Sequence, residues 1–361
     1  MVAAESSARF GQGFLTDAWY FAALSRDIRP GKLTRHRIMG QPVMIGRAPG
    51  GGVTALLDIC PHRAAPLSAG RFARGVAGED EVECPYHGWR FATDGRCQAI
   101  PSLVEGQAFD ISRVRVRAFP TAESQGMVFI WIGAKDGRAD IPPTGPPPMF
   151  PGVVGGGPKL VLRDTFDAHI DHAVVGLMDP AHGPFVHRQW WWRTASSLHA
   201  KAKRFEPSVE GFTMVRHSPS SNSRAYALLG GQPLTEISFR LPGYRWEHIT
   251  VGEREVLALT CLTPIDERST AITQILWSDH PAFTLLRPLV GLGARRFLDQ
   301  DRAMVDLQKE GLKHDAALLW IDDADRQAKW YQALKREWRA SRAEGRPFVN
   351  PVAAATLEWT S

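Results

Sequence analysis

Two short loops constrain this chain more than anything else in it. Residues 60–63 read Cys-Pro-His-Arg and residues 84–89 read Cys-Pro-Tyr-His-Gly-Trp, a C-x-H and a C-x-x-H with 21 residues between them. Each loop brings one thiol and one imidazole. A zinc finger pairs cysteine with cysteine on one element and histidine with histidine on another, so the mixed loops fit that ion poorly. They fit a cluster of two irons bridged by two sulfides, in which two thiolates hold one iron and two imidazoles hold the other. Two loops approaching from opposite sides can grip both irons, and Pro61, Pro85 and Gly88 suit tight turns whose backbone N–H groups point at sulfur. Replacing two thiolates by neutral imidazoles removes negative charge and raises the reduction potential. Cys60, His62, Cys84 and His87 are the expected cluster ligands, with a zinc site and chance pairing as the competing readings.

At 361 residues the chain suits two domains and can bury a large core. Its first third is rich in short β-type runs. Val43–Ile45 and Val53–Leu57 flank Ala48-Pro-Gly-Gly-Gly52, a hairpin with a loose loop, and Met127–Ile132 reads as a buried strand. Residues 133–158 contain IPPTGPPPMFPG and GGGP, a density of Pro and Gly that resists helix and sheet alike and marks a linker. Beyond it, Asp164–His187 has helical character. Strand-like runs at Phe212–Arg216, Glu255–Leu262 and Ala271–Trp277 suggest an antiparallel sheet. The end reads as helices over Phe297–Leu312 and Asp322–Arg342, where Trp330, Leu334 and Trp338 recur at four-residue steps as a core stripe.

Composition narrows the function. The net charge is +5, but the basic residues are scattered, without the stripe that nucleic-acid binding needs. No charged start followed by a long apolar stretch marks a secretory signal. Arg287, Arg295 and Arg296 interrupt the most apolar window, Pro281–Leu298, so no membrane span is expected. The expected setting is cytoplasmic, where motif cysteines serve metals before disulfides. Cys97 and Cys261 sit in no motif and are expected to be buried or half-buried thiols with no chemical task.

A second constellation lies at 179–187, Asp-Pro-Ala-His-Gly-Pro-Phe-Val-His. Mononuclear iron that activates O₂ uses two imidazoles and one carboxylate, leaving positions open. His182 and His187 are five apart, about a turn and a half of helix, and can meet one metal. His169 and His172, three apart, are the competing pair. Asp299, Asp301 and Asp306 in FLDQDRAMVD are the candidate carboxylates, and the spacing alone does not choose among them.

The stretch from Ala18 to Ile132, with CPHRAAPLSAGR and CPYHGWRF, resembles the Rieske domain of ring-hydroxylating oxygenases. Respiratory Rieske proteins carry an extra cysteine in each loop; Ala65 and Tyr86 stand at those positions here, so that staple cannot form. D-x-x-H-x-x-x-x-H resembles the same family's iron motif. The resemblance implies an α+β chain with an N-terminal all-β Rieske domain and a C-terminal antiparallel sheet flanked by helices, a helix-grip-like catalytic domain. The implied divisions are an arm at 1–17, the Rieske domain at 18–133, the linker at 134–158 and the catalytic domain at 159–361. It also implies His182, His187 and Asp301 as iron ligands. Asp179 would link the centres, accepting from His182 and from the second cluster histidine, His87, of a neighbouring subunit in a homotrimer. The plainer reading of Asp179 is a helix N-cap, since Pro180 follows it. Many relatives place an Asn three or four residues before that Asp, where this chain has Gly176 and Val175.

No G-x-G-x-x-G follows a strand here, and no C-x₄-C-x₂-C is present, so electrons are expected from a separate reductase, directly or through a ferredoxin; the resemblance implies NAD(P)H as the ultimate donor. The chain's size resembles the branch containing vanillate and dicamba demethylase oxygenases. That implies a homotrimeric oxygenase that hydroxylates, and in some members O-demethylates, a hydrophobic aromatic small molecule. Ring cis-dihydroxylation, N-demethylation and a plain Rieske electron carrier are the alternatives. The Phe205–Trp277 sheet is expected to line the pocket, with Trp190-Trp191-Trp192 packed or walling its entrance.

Overall fold

The computed structural model describes residues 9–134, 142–187, 198–220, 226, 229–314 and 316–361. It divides into two compact units, Thr16–Met149 and Phe150–Ser361, the second joined by the N-terminal residues up to Leu15.

The first unit is built of short antiparallel strands: β1 (Ala18–Leu24), β2 (Lys32–Ile38), β3 (Gln41–Arg47), β4 (Val53–Leu57), β5 (Arg71–Arg74), β6 (Asp80–Glu83), β7 (Arg90–Ala92), β8 (Cys97–Ala99), β9 (Ala118–Phe119), β10 (Thr121–Ser124) and β11 (Met127–Ile132). They form three sheets, in the orders β2-β3-β4-β9, β5-β6-β7-β8 and β1-β11-β10. The expected hairpin is β3–β4, its loop closed by the Ala48 N–H on Gly52 O at 2.8 Å. β11 is the middle strand of its sheet and all six of its residues are buried, which explains its unbroken apolar run. Met44, Leu56, Leu67, Val82 and Phe91 form a core in which Cys60 and Cys84 are themselves members.

The second unit runs β12 (Leu160–Phe166), α1 (Ile170–Met178), α2 (Gly183–Val186), β13 (Ala200–Ser208), β14 (Gly211–His217), β15 (Leu234–Arg240), β16 (Tyr244–Val251), β17 (Arg254–Asp266), β18 (Ser269–Ser278), α3 (Pro281–Leu285), α4 (Arg287–Leu312), α5 (Arg326–Ala343) and β19 (Ala355–Thr360). Its strands make an eight-stranded antiparallel sheet in the order β12-β18-β17-β16-β15-β14-β13-β19. α5 buries Trp330, Leu334 and Trp338, with Trp330 against Phe205 and Phe212 and Tyr331 against Phe239 on the sheet. The α+β reading stands, with a β unit first and a helix-covered antiparallel sheet second.

Two local expectations change. Asp164–Phe166 are strand, not helix, paired with Thr270–Ile272 of β18. Helix is then broken between α1 and α2 at Asp179-Pro180, because the residue before proline disfavours the helical region; Asp179 sits at φ −60°, ψ 119°. Both late helices also begin elsewhere: α4 at Arg287 rather than Phe297, and the last helix at Arg326 rather than Asp322, with the four residues before it forming turns. Among the described residues no helix is long and apolar enough to cross a membrane. Trp190–Trp192 lie outside the described residues.

Candidate cluster loops and metal centre

The two cysteine loops close in the same way. The Ala64 N–H donates to Cys60 O at 2.9 Å and the Gly88 N–H to Cys84 O at 3.1 Å, four residues on in each case. The Cys60 N–H reaches Ala65 O at 2.9 Å, and the Cys84 N–H reaches Trp89 O at 2.8 Å. Both loops turn through the left-handed region at that fourth residue, Ala64 at φ 56° and Gly88 at φ 71°. A Cβ at position 88 would also press on Pro101 at 3.3 Å, which favours glycine there.

Both thiols are 2% exposed and each is in hydrogen-bond contact with the other. Burial pushes the Cys60 thiol up to about 11, against backbone N–H groups of His62 and Arg63 that favour its thiolate. A cation between the sulfurs would compensate what burial costs. The His62 and His87 rings stand 4.5 Å apart, and His62 stacks on Trp89 at 4.7 Å. His87 Nδ1 is buried without a hydrogen-bond partner among the described residues. Two facing buried sulfurs, two adjacent imidazoles and an orphaned ring nitrogen fit a [2Fe–2S] cluster with mixed ligands. Cys97 and Cys261 are buried and free.

In the second unit His182, His187 and Asp301 converge, with one ligand atom from each inside a 4.8 Å sphere of mutual distances. His182 Nε2 is 3.1 Å from His187 Nε2, and Asp301 Oδ1 is 3.6 and 3.2 Å from the two. The opposite ring atoms are both engaged. His182 Nδ1 lies 2.9 Å from the Asp179 backbone carbonyl and His187 Nδ1 lies 3.1 Å from Gln300 Oε1. Each acceptor fixes Nδ1 as the protonated nitrogen and leaves Nε2 with its lone pair toward the shared space. Burial holds the His182 imidazole below its ordinary value, in the neutral form a cation needs. Two imidazoles and one carboxylate so arranged fit a mononuclear Fe(II) with open positions.

Helical phase selects the carboxylate. On α4, Leu298 and Val305 face the core, and Asp301 lies three residues after one and four before the other, on the same stripe. Asp299 points elsewhere and pairs with Arg295 at 3.2 Å and Arg302 at 3.3 Å. Arg302 and Arg295 in turn reach Asp164 of β12 at 3.0 and 3.3 Å, tying α4 to the sheet. His169 and His172 are not brought together with Asp301. His169 caps α1 and contacts Gly13 O at 3.1 Å, while His172 packs edge-on to Phe10. Asp179 ends α1 rather than starting a helix. Its carboxylate accepts from the Ala181 N–H at 2.7 Å and stands 3.7 Å from His182 Nδ1.

Residues 18–120 match the family model of the Rieske [2Fe-2S] domain. The chain is 36% identical over 179 residues to the oxygenase component of dicamba O-demethylase from Stenotrophomonas maltophilia, covering 48% of each chain. It is 30% identical over 175 residues to chlorophyllide a oxygenase of Oryza sativa subsp. japonica, covering 48% of this chain and 29% of that one. The chain thus aligns with less than half the length of these curated relatives. The crystal structure of dicamba monooxygenase bound to dicamba superposes with a TM-score of 0.71 at 24% identity, over 92% of this chain and 100% of that one. Residues 18–120 thus form a Rieske domain, and the chain as a whole shares the fold of dicamba monooxygenase.

In this Rieske chain a cavity of about 270 Å³ adjoins the triad, bounded by α1, α4 and the inner face of the sheet. Met214, Ile237 and Phe297 give it apolar walls, and Arg245, Thr260 and Gln274 give it a polar floor. Sequence reasoning missed Gln300. Its only signal was adjacency to Asp301, and its target lies 113 residues away along the chain.

Proposed function

We propose that this chain is the terminal oxygenase component of a multicomponent system. It takes electrons singly from a separate reductase, directly or through a ferredoxin, with NAD(P)H as their source. It uses O₂ to hydroxylate a hydrophobic aromatic small molecule, with O-demethylation as one outcome. The observation that carries this reading is the convergence of His182, His187 and Asp301 on one point at the wall of a cavity. A plain electron carrier has no use for a mononuclear iron site with open positions.

Cys60, Cys84, His62 and His87 would hold the [2Fe–2S] cluster, and His182, His187 and Asp301 the lone iron. Bound there, iron supplies a place where O₂ is reduced and one oxygen atom is passed to a carbon. The chain's own residues do the rest. The Asp179 carbonyl and Gln300 keep both Nε2 atoms aimed inward. Buried His187 and the ring of Phe297, 4.3 Å away, keep water from that side of the site. Asp179 stands beside His182 with a partly exposed carboxylate that a partner's imidazole can reach. In a homotrimer that partner would be His87 of the next copy. Four unpaired cysteines suit a reducing cytoplasm.

The test is O₂ uptake coupled to product, with a surrogate reductase and a set of methoxyarenes. Formaldehyde indicates O-demethylation. A diol would move the reading to dihydroxylation. Changing His182→Ala is expected to leave the cluster's visible spectrum intact and abolish product; loss of that spectrum would overturn the assignment.

A further inference from the structure

The sheet places Arg245 of β16 opposite Thr260 of β17, and Thr260 opposite Gln274 of β18. Residues paired across antiparallel strands share a face, and all three line the cavity that holds His182, His187 and Asp301. Thr260 is 6% exposed, and Arg245 and Gln274 are half-buried. Among the described residues none of the three side chains has a hydrogen-bond or ion-pair partner. A guanidinium, a hydroxyl and an amide are thus lined up on one wall with their donors unspent.

The other charged groups of the cavity are engaged. Glu247 accepts from Tyr226 Oη and, at 2.8 Å, from Thr235 Oγ1. Lys201 Nζ donates to Ser361 Oγ at 2.8 Å and Lys203 Nζ to Ser218 O at 3.3 Å. His217 Nδ1 contacts Val215 O at 2.9 Å, and Asp301 faces the two metal-centre imidazoles. Among the described residues Arg245 therefore has no acid of its own to answer. Enclosing a guanidinium without a partner is unfavourable, and its planar fork of donors matches a carboxylate through two parallel bonds. Met214, Ile237 and Phe297 offer apolar surface to the remainder of such a molecule.

We propose that Arg245, flanked by Thr260 and Gln274, binds the carboxylate of the substrate, which makes the substrate class a small carboxylic acid with an apolar body. This rests on the oxygenase reading and narrows it. A site built to pair this half-buried charge disfavours a neutral isostere, because the guanidinium is then left without its partner.

The test pairs acids with neutral amides of the same shape, such as 4-methoxybenzoate with 4-methoxybenzamide, on the fully metallated protein by calorimetric titration. The acids are expected to bind roughly 10- to 100-fold tighter than their amides, and Arg245→Met to erase that preference. Amides that match their acids, no binding by any acid of the set, or an Arg245→Met variant that keeps the preference would each overturn the proposal. Should Arg245→Met fail to fold, Arg245→Lys decides: several-fold weaker acid binding supports the fork geometry, and unchanged binding overturns it. O₂ uptake measured alongside separates this proposal from the one beneath it. Turnover of neutral methoxyarenes without preference for acids sinks the Arg245 assignment and keeps the oxygenase. Acid-selective binding with no O₂ uptake from any compound does the reverse.

Discussion

Each imidazole of the metal centre is held by an acceptor on its far side, and the two acceptors differ in kind. His182 has a backbone carbonyl, which mutation cannot remove, whereas His187 has the Gln300 amide oxygen at 3.1 Å. Gln300→Leu is expected to weaken metal binding about 10- to 100-fold, read by Co(II) or Fe(II) titration, with the cluster spectrum unchanged; Gln300→Glu restores an acceptor and most of the affinity. Equal metal affinity in Gln300→Leu would remove the residue from the account. The mixed cysteine–histidine loops were legible in the sequence because cluster chemistry demands those residue types at short spacing. The choice among Asp299, Asp301 and Asp306 was not legible from spacing. In space it is Asp301 that comes to the two imidazoles, sharing the inward stripe of α4 with Leu298 and Val305, while Asp299 is taken by arginines. Gln300 was illegible because its partner is far away in the chain.

α1 is the element on which the second unit turns. Its last residue leads into Asp179 and the histidine loop, and its first turn carries Asp171, fully buried and bound by Lys335 Nζ, Tyr331 Oη at 2.7 Å and the Gly11 N–H at 2.8 Å. Against the cost of burial, the Lys335 ammonium and the neighbouring donors hold Asp171 below its ordinary value. Asp171→Ala would leave the Lys335 ammonium buried and uncompensated, and is expected to destabilise the unit by about 3–5 kcal/mol in urea unfolding. Burial also holds His36, His169, His172 and His217 below the ordinary histidine value of 6.5. Asp171 and Glu267 partly offset this at His169, and Lys335 adds to it. Between each lowered value and 6.5 the unfolded chain binds more protons than the folded one. Stability from these groups is therefore complete above about pH 6.5 and is lost as pH falls below it. An unfolding free energy that stays flat from pH 8 to pH 5 would contradict this. Six strands (β3, β4, β11, β14, β17 and β18) were legible as apolar runs. β12 was not, because its half-exposed LVLRDTF mixes charge into the run, and neither was β19, where a single residue of six is buried.

At the scale of the whole molecule, a β unit with cluster-binding loops and a helix-covered sheet with a metal triad occur in one chain. On the proposed reading the division of labour follows from ligand chemistry: a cluster held by two thiolates and two imidazoles would store an electron, and an iron held by two imidazoles and one carboxylate would leave room for O₂. The basic surplus of +5 is scattered and does not describe a partner. The most direct test is iron and acid-labile sulfide analysis of the reconstituted chain beside its His182→Ala variant, with the paramagnetic spectrum of each after reduction. The account expects three irons and two sulfides per chain, falling to two irons and two sulfides in the variant with an unchanged Rieske signal. A parent chain that binds only two irons, or a variant that loses the Rieske signal along with the third, would contradict it.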